Sequence, residues 1–251
     1  MSKVISFTNQ KGGVGKTTTA VNLAACLAEA EQRVLLFDMD PQGNASSGLI
    51  QDETKPAHTS YELLCGQVTA ENCIINALPG LDLIAADINL SGAVVEFQDL
   101  EDKYTRLKDA IADIKDNYDY ILIDCPPSLG ILTINALAAS DSVILPVQCE
   151  YYAMEGLGQM LNTISLIQND INPDLEIEGI LFTMYDQRTN LSQQVVESVK
   201  GALDLRFFDA VIPRNIKLAE APSFGQPIIV YDSASRGAES YRLLAAEILN
   251  D

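Results

Sequence analysis

The chain has 251 residues, 47% of them hydrophobic, and a formal net charge of −19. This length allows one large domain or two small ones, and we expect a single domain over residues 1–251. The five cysteines are widely spaced and contain no C-x-x-C pair, so the sequence indicates neither a disulfide framework nor a zinc site. Without a signal-peptide pattern or a bilayer-length apolar run, a cytoplasmic protein is expected.

The negative charge is unevenly distributed along the chain. Net acidity argues against a nucleic-acid binder, because attraction to phosphates supplies most non-specific DNA affinity. However, residues 181–251 carry 7 basic and 9 acidic side chains, whereas residues 1–180 carry 9 and 26. A basic surface must therefore be a local patch drawn largely from the last third of the chain. The alternative is that the acidity serves solubility or adaptation to a salty cytoplasm.

Short β-branched runs alternate with longer stretches of helical period. This pattern predicts an α/β fold in which a mostly parallel, twisted sheet carries helices on both faces. The predicted strands are Lys3–Thr8, Arg33–Asp38, Leu81–Ala85, Tyr120–Asp124, Ser142–Val147, Ile177–Thr183, Ala210–Pro213 and Ile228–Tyr231. The predicted helices are Lys16–Ala30, Glu101–Asn117, Ile131–Ala139, Ala153–Asn169, Leu191–Leu203 and Ala238–Asn250. A connecting loop is predicted over the polar segment Gln51–Thr59.

A glycine-rich segment lies between the first predicted strand and the first predicted helix and reads K-G-G-V-G-K-T-T. Its glycines allow a tight turn that brings backbone N–H groups close to phosphate oxygens. Lys16 would reach the β- and γ-phosphates, and the Thr17 hydroxyl would bind Mg²⁺. Because Gln10 replaces the usual first glycine and Lys11 precedes a glycine pair, this is the deviant Walker A form of the P-loop. The predicted phosphate-binding residues are Gly12, Gly13, Val14, Gly15, Lys16, Thr17 and Thr18.

Lys11 is a second lysine at the entrance of this loop. Since Lys16 already serves the phosphates of its own subunit, Lys11 could neutralise transition-state charge on a nucleotide held by a facing subunit. Arginines in that position contribute about 10³–10⁵ in rate in GTPases. The alternative is an exposed lysine without a catalytic role, and the spacing leaves both possibilities open.

Two carboxylates follow predicted strands at their carboxyl ends, where ligands bind in parallel sheets. Asp124 ends an apolar strand, as in the Walker B pattern, and would hold Mg²⁺ directly or through water. Asp40 precedes a turn-rich segment and could orient or deprotonate the attacking water. Alternatively, Asp40 only opens the turn at Pro41, since Asp38 lies two residues earlier. The predicted metal site comprises Thr17, Asp40 and Asp124.

Three motifs resemble the nucleotide motifs of the ParA/MinD superfamily. They are NQKGGVGKTT at 9–18, DMDPQGN at 38–44 and DCPPS at 124–128. Three further segments resemble the ParA/Soj branch, namely PVQCEYYA at 146–153, TMYDQRTN at 183–190 and IPRNIKLAEAPS at 212–223. The resemblance covers nearly the whole chain.

The resemblance implies a monomer that binds ATP and Mg²⁺, forms a homodimer around two nucleotides, and then binds double-stranded nucleoid DNA without sequence preference. A ParB-type centromere-binding protein would stimulate hydrolysis, and the ADP state would leave the DNA. Lys11 would act on the facing subunit and Asp40 would activate water. The resemblance places Pro213, Arg214 and Asn215 against adenine. It also implies DNA contacts by Arg188 and Lys217, with Lys200, Arg206 and Arg236 as further candidates.

Two features depart from the family pattern. The ParA/Soj branch commonly has arginine at the position of Lys217, and lysine keeps the charge but loses the planar fork, so a weaker phosphate contact is expected. The net charge of −19 opposes association with DNA. Binding is therefore expected to require both subunits of the dimer and low to moderate salt.

Three other functions remain open. A MinD-type membrane-positioning ATPase would share the nucleotide residues, but no stable membrane association is expected because the sequence from Arg242 to Asp251 is not a basic amphipathic tail. A metabolic enzyme on the same fold is the second, such as a dethiobiotin-synthetase-like ligase or a nitrogenase-type reductase. Cys125 does not supply the cysteine pattern of a cluster-binding reductase. The third is an ATPase that positions another cargo, which would share nucleoid binding.

Overall fold

The computed structural model describes residues 2–50 and 56–250, and seven strands in this part of the chain form one sheet. The strands are β1 (Lys3–Phe7), β2 (Val34–Asp38), β3 (Ile74–Leu78), β4 (Leu81–Ile84), β5 (Tyr120–Asp124), β6 (Ser142–Gln148) and β7 (Glu176–Thr183). Their order across the sheet is β3-β4-β2-β5-β1-β6-β7, with β3 antiparallel to β4 and the other pairs parallel. The predicted mostly parallel sheet is confirmed.

Eleven α-helices connect and cover these strands within the described residues. They are α1 (Lys16–Glu29), α2 (Asn44–Ser47), α3 (Ser60–Leu64), α4 (Leu90–Glu96), α5 (Arg106–Ile111), α6 (Ile131–Ala139), α7 (Ala153–Asp170), α8 (Asn190–Ala202), α9 (Ile216–Glu220), α10 (Ile228–Tyr231) and α11 (Arg236–Leu249). None of them is both long enough and apolar enough to cross a bilayer.

The helices lie on both faces of the sheet, as predicted. Side chains alternate between the faces along a strand. Ile5 of β1 packs in the cluster that contains α1 and α11, whereas its neighbour Val4 packs with residues of α5 and α6 on the other face. The apolar faces of α7 and α8 cover β6 and β7. Because both faces are covered, central strands such as β2 are buried at every position.

The predicted strand Ile228–Tyr231 is wrong, because these residues form helix α10. The β-branched run favours a strand locally, but its surroundings favour a helical turn. Pro227 precedes the helix in an extended conformation, and the side-chain Oδ1 of Asn22 accepts a hydrogen bond from the Ile228 N–H at 2.6 Å. Ile228 is thereby buried in the core beneath α1.

Other elements also differ from the prediction, and the short helices α2, α3, α4 and α9 were not predicted. The predicted strand Ala210–Pro213 is wrong. This segment runs parallel to β7, but it forms only one isolated β-bridge, between Tyr185 and Pro213. The predicted helix Glu101–Asn117 is shortened to α5 and a 3₁₀ turn at Lys115–Asn117. Strand β3 was not predicted. Of the predicted loop Gln51–Thr59, residues 51–55 lie outside the described part of the chain.

Candidate functional site

The central strands β1, β2 and β5 bring the predicted motifs to one edge of the sheet. In the register of the sheet, Asp124 lies beside Phe7 of β1 on one side and beside Asp38 of β2 on the other. The glycine-rich loop follows β1, and the turn containing Asp40 follows β2. The loop and the two acidic motifs therefore meet at the carboxyl ends of adjacent parallel strands, the usual ligand position of such sheets.

At two positions, the backbone of the glycine-rich loop has a conformation that only glycine adopts readily. Gly13 and Gly15 have φ angles of 74° and 91°, in the left-handed region. Helix α1 begins at Lys16, directly after Gly15. The N–H groups of its first turn have no partner within the helix, so they form an anion-binding end at this edge.

The side chains of Asn9 and Thr183 anchor the glycine-rich loop. Asn9 donates from Nδ2 to the Pro146 carbonyl at 2.8 Å, and its Oδ1 accepts from the Lys11 N–H at 3.0 Å. Thr183, at the end of β7, donates from Oγ1 to the Val14 carbonyl at 2.7 Å. The loop is therefore held to β6 and β7 before any ligand binds. These two anchoring roles, of the Thr183 hydroxyl and the Asn9 amide, were not predicted from the sequence.

Lys16 is buried inside the loop, with 6% of its surface exposed. Its Nζ donates to the Lys11 carbonyl at 3.2 Å, so the side chain folds back over the loop. Burial lowers the pKa of Lys16, and the charges of Asp124 and Asp40 oppose that shift. A lysine held in this way is positioned to contact phosphates seated on the loop.

Asp124 is fully buried, and neither of its carboxylate oxygens has a hydrogen-bond partner among the described residues. Burial raises the pKa of Asp124, and the charge of Asp38 raises it further, while the charge of Lys16 opposes the shift. Buried acceptors normally have partners. A cation would satisfy these two oxygens, so the residues present fit a Mg²⁺ ion held by Asp124 and Thr17.

Within residues 2–50 and 56–250, no group of three or more His, Cys, Asp or Glu side chains is arranged to hold a metal ion. Mg²⁺ is commonly bound by one or two carboxylates together with substrate phosphates and waters. The assignment of Thr17, Asp40 and Asp124 to the metal site stays a prediction.

The two acids after β2 have different surroundings. Asp38 is fully buried and accepts from the Asp40 N–H at 3.0 Å, from the Ser46 N–H at 2.9 Å and from the Ser46 hydroxyl at 2.7 Å. Asp40 accepts only from the Gln42 N–H, at 3.0 Å, through one oxygen, and its other oxygen has no hydrogen bond to the described residues. Asp38 therefore stabilises the turn through its hydrogen bonds. Asp40 has one carboxylate oxygen that can accept a hydrogen bond from a water molecule or a ligand.

Gly43 fixes the position of this turn. Its φ is +63°, and a Cβ at this position would lie 2.8 Å from the Ala86 carbonyl oxygen. We expect Gly43→Ala to lower the free energy of unfolding by about 2 kcal/mol or more, since both the conformation and the contact are unfavourable. Gly66→Ala is the matched control, because Gly66 has φ +73° but its added Cβ would meet only Arg106 Nη2 at 3.5 Å. Equal losses in chemical denaturation would contradict the steric role of Ala86.

Lys11 lies at the exposed rim of the loop and forms an ion pair with Glu150 of the same chain. About 38% of the Lys11 side chain is exposed, and the neighbouring Gly12 and Gly13 are also exposed. Sequence reasoning missed Glu150, which follows β6 and lies 139 positions from Lys11. The Lys11 side chain therefore lies at the surface of the loop, whereas the Lys16 side chain is buried inside it.

A cavity of about 240 Å³ adjoins the loop at Gly15 and Thr18. Pro213, Arg214 and Asn215 line it, and their contact with adenine stays a prediction. Its other walls are mostly apolar and come from Thr183, Met184, Ile212, Leu218, Ala219 and Tyr241. An apolar pocket with a few polar groups beside an anion-binding loop has the character of a nucleoside site.

The five predicted DNA contacts lie in more than one region. Arg188 and Arg236 line an open groove of about 900 Å³ that shares Pro213, Arg214 and Asn215 with the smaller cavity. Lys217 lies on α9 near that cavity, and its Nζ donates to Glu220 at 2.9 Å.

Lys200 and Arg206 lie elsewhere. The extended segment 206–213 runs parallel to β7, with Phe207 bridged to Ile180 and Pro213 bridged to Tyr185. Arg206 lies beside the middle of β7, where its carbonyl accepts from the Ile180 N–H at 3.0 Å, and Lys200 Nζ lies over the ring of Phe207. Neither residue lines the groove. Arg188, Arg236 and Lys217 are the candidates that surround the nucleotide edge.

This fold and this site define a nucleotide-binding protein with a deviant Walker A P-loop. Residues 2–177 match the protein family described as the AAA domain. The Bacillus subtilis sporulation initiation inhibitor protein Soj is 55% identical over 99% of this chain and 98% of its own length. The Myxococcus xanthus chromosome partitioning protein ParA is 51% identical over 99% of this chain and 88% of its own.

A solved structure is also similar. The structure described as Mycobacterium smegmatis cobyrinic acid a,c-diamide synthase, with a bound ATP analogue and magnesium, has a TM-score of 0.87 and 38% identity, over 100% of this chain and 95% of that one. The identities over nearly full length show that the chain belongs to the ParA/Soj family of chromosome-partitioning ATPases.

Proposed function

We propose that this protein is an ATP-dependent dimerising switch that drives chromosome or plasmid segregation. In the ATP state it binds nucleoid DNA without sequence preference, and hydrolysis, stimulated by a ParB-type partner, returns it to a monomer. The observation that carries this proposal is the arrangement of two lysines, with Lys16 buried inside the phosphate loop and Lys11 at its exposed rim. The proposal places the protein in the cytoplasm, associated with the nucleoid.

Each residue of the site has a distinct role in the proposed hydrolysis. Lys16 and the N–H groups of the loop bind the phosphates, and the apolar cavity beside Pro213 holds the adenine. Asp40 accepts the proton of the attacking water or orients it. Thr17 and Asp124 hold Mg²⁺, which when bound neutralises charge on the β- and γ-phosphates. Lys11 stabilises the developing charge on the nucleotide of the facing subunit.

Dimerisation follows from the position of Lys11, because a side chain at the rim serves a second nucleotide only if another subunit faces it. A two-fold sandwich is the simplest closed arrangement. In that arrangement the exposed glycines of the two loops approach each other, and a branched side chain there would separate them.

Gly12→Val is therefore expected to bind ATP but to lose ATP-dependent dimerisation by tenfold or more, roughly the 1–3 kcal/mol cost of overpacking. Within one subunit the added Cβ meets only Pro127 Cβ, at 3.9 Å, so the subunit itself accommodates it. Analytical ultracentrifugation with ATP measures the effect. Gly201→Val is the control, since Gly201 lies exposed on α8 with no atom within 4 Å of an added Cβ. Dimerisation of Gly12→Val at the unmutated affinity would count against this packing.

DNA binding is tested most directly by comparing nucleotides. We expect fluorescence anisotropy to detect binding to unrelated duplex sequences with ATP, at low salt, and no binding with ADP. Failure of the ATP-bound dimer to bind any duplex at low salt would remove the nucleoid role and leave only the dimeric ATPase switch.

Arg188→Ala and Lys217→Ala are expected to weaken ATP-dependent binding equally for all DNA sequences. Each phosphate contact adds about 0.9 to the slope of log affinity against log salt, so loss of one contact in both subunits flattens the slope by about 1.8. Lys108→Ala, an exposed cation on α5, is the matched control. If both variants bind DNA as tightly as the unmutated protein, this surface is not the DNA-binding surface.

Other functions fit the same nucleotide site less well. The apolar face of α11 that carries Tyr241, Leu244 and Ile248 is buried in the core, so this face is not available to a membrane. The sequence identity to the structure described as a diamide synthase is 38%, whereas the identity to Soj is 55%. A positioning ATPase for another cargo remains the alternative, and only the identity of the stimulating partner distinguishes it. Hydrolysis stimulated by a ParB-type protein, and not by an unrelated DNA-binding protein, supports segregation.

A further inference from the structure

Cations near the nucleotide edge are paired with acids of the same chain. The Arg188 guanidinium donates from Nε and Nη2 to the two carboxylate oxygens of Asp186, at 2.9 and 2.7 Å. The Lys217 ammonium donates to Glu220 at 2.9 Å. Both ion pairs lie in exposed parts of the chain, with 87% of the Arg188 side chain accessible. The two DNA contacts that the family resemblance favours are thus neutralised within the subunit.

The two acids are also held in place by other contacts. Asp186 Oδ1 accepts from the Arg188 N–H at 3.0 Å, and the Asp186 carbonyl accepts from Thr189, the N-cap of α8. Glu220 accepts a second hydrogen bond, from the Tyr231 hydroxyl at 3.0 Å. Because the backbone and Tyr231 hold these carboxylates in place, a DNA phosphate has to compete with them for the cations.

We propose that Asp186 and Glu220 compete with DNA phosphates for Arg188 and Lys217, and so set the DNA affinity of the ATP-bound dimer below the value that its cations alone would give. This inference rests on the proposed function. Strong bidentate pairing supports it, since the hydrogen bonds from Arg188, together with the smaller effect of the Arg214 charge, lower the pKa of Asp186 to about 2.

The competition follows from the geometry of the guanidinium. A phosphate and a carboxylate use the same planar fork, so the phosphate has to displace Asp186 or bind the remaining N–H groups. In water, repulsion between a phosphate and a carboxylate about 6 Å apart changes binding about threefold. Because each of the two subunits carries this acid, the two threefold effects multiply to about tenfold for the dimer. The proposed switch must leave DNA after each hydrolysis, and a lower DNA affinity favours this dissociation.

The test replaces each acid by its amide, Asp186→Asn and Glu220→Gln. The amide oxygen still accepts from the Arg188 N–H or from Tyr231, so the local turns are kept. With ATP at low salt, we expect each variant to bind a non-specific duplex about tenfold more tightly. The slope of log affinity against log salt should steepen by about 1.8, one charge in each subunit. Asp116→Asn is the charge-matched control, because Asp116 is exposed in the 3₁₀ turn before β5, at the opposite edge of the sheet.

A double-mutant cycle isolates the competition from the general change in net charge. In an Arg188→Ala background, Asp186→Asn should have no more effect than Asp116→Asn, because the cation that it releases is absent. Unchanged or weaker binding by both amide variants, with a native thermal unfolding profile, overturns the inference while leaving the proposed function standing. Absence of DNA binding by the unmutated ATP-bound protein overturns the proposed function itself.

Discussion

Replacing Lys11 by alanine is expected to lower ATP turnover by about 10³-fold while leaving the ATP affinity of a single subunit nearly unchanged. The reason is its position, since Lys11 pairs with Glu150 at the rim and does not enter its own loop. A charge that acts on the facing nucleotide contributes to the transition state rather than to ground-state binding, as finger arginines do.

Lys16→Ala provides the contrast. Lys16 is buried in the loop, and a charged hydrogen bond to phosphate is worth about 1.5–3 kcal/mol, so its loss should weaken ATP binding by about 10- to 150-fold. Equilibrium titration with a fluorescent ATP analogue measures affinity, and phosphate release at saturating ATP measures turnover. Equal losses of affinity in the two variants would show that Lys11 is an ordinary ligand of its own nucleotide.

Asp40→Ala should reduce turnover by about 10²–10⁴-fold, the usual contribution of a general base, and should leave ATP binding intact. ATP-bound dimers should therefore accumulate, which light scattering detects. A monomer under these conditions would contradict the action of Lys11 across a dimer.

Asp38→Ala tests whether the two neighbouring acids, Asp38 and Asp40, have different roles. Asp38 accepts hydrogen bonds from three buried donors of the turn, and leaving buried donors unpaired costs about 1–3 kcal/mol each. We expect this variant to lose stability in chemical denaturation, whereas Asp40→Ala should not. The reverse pattern would exchange the roles assigned to the two residues.

The contiguous motifs were predicted well from the sequence. The P-loop follows β1, whereas Asp38 and Asp124 are the last residues of β2 and β5. Parallel strands place their carboxyl ends at one edge. Adjacent strands β1, β2 and β5 are therefore enough to assemble them. Their catalytic roles stay predictions, as do the DNA contacts.

Contacts between distant parts of the chain were not predictable in the same way. Glu150 and Thr183 reach the loop from β6 and β7, 139 and 169 positions from their partners Lys11 and Val14. One sequence carries no signal for such a pairing, because a glutamate or threonine at a strand end also fits a solvated turn. The order of strands across the sheet, which depends on long-range packing, determines these contacts.

Local propensity also misled the prediction of short elements. The run IIVY favours a strand by composition, yet Asn22 and the core beneath α1 stabilise it as helix α10. Strand β3 was missed because it is an edge strand of five residues with intermediate or exposed side chains, so it lacks a clear apolar pattern.

Strand β7 supports a linkage between the two ligands. Its last residue, Thr183, holds the phosphate loop through Val14, and five residues later the same chain presents Arg188. If ATP tightens DNA binding by some factor, DNA must tighten ATP binding by the same factor, because the free energy of coupling between two ligands is reciprocal. Nucleotide should therefore dissociate more slowly or associate faster on the nucleoid than in free solution. In the proposed function, bound DNA would then be an effector of the ATP site.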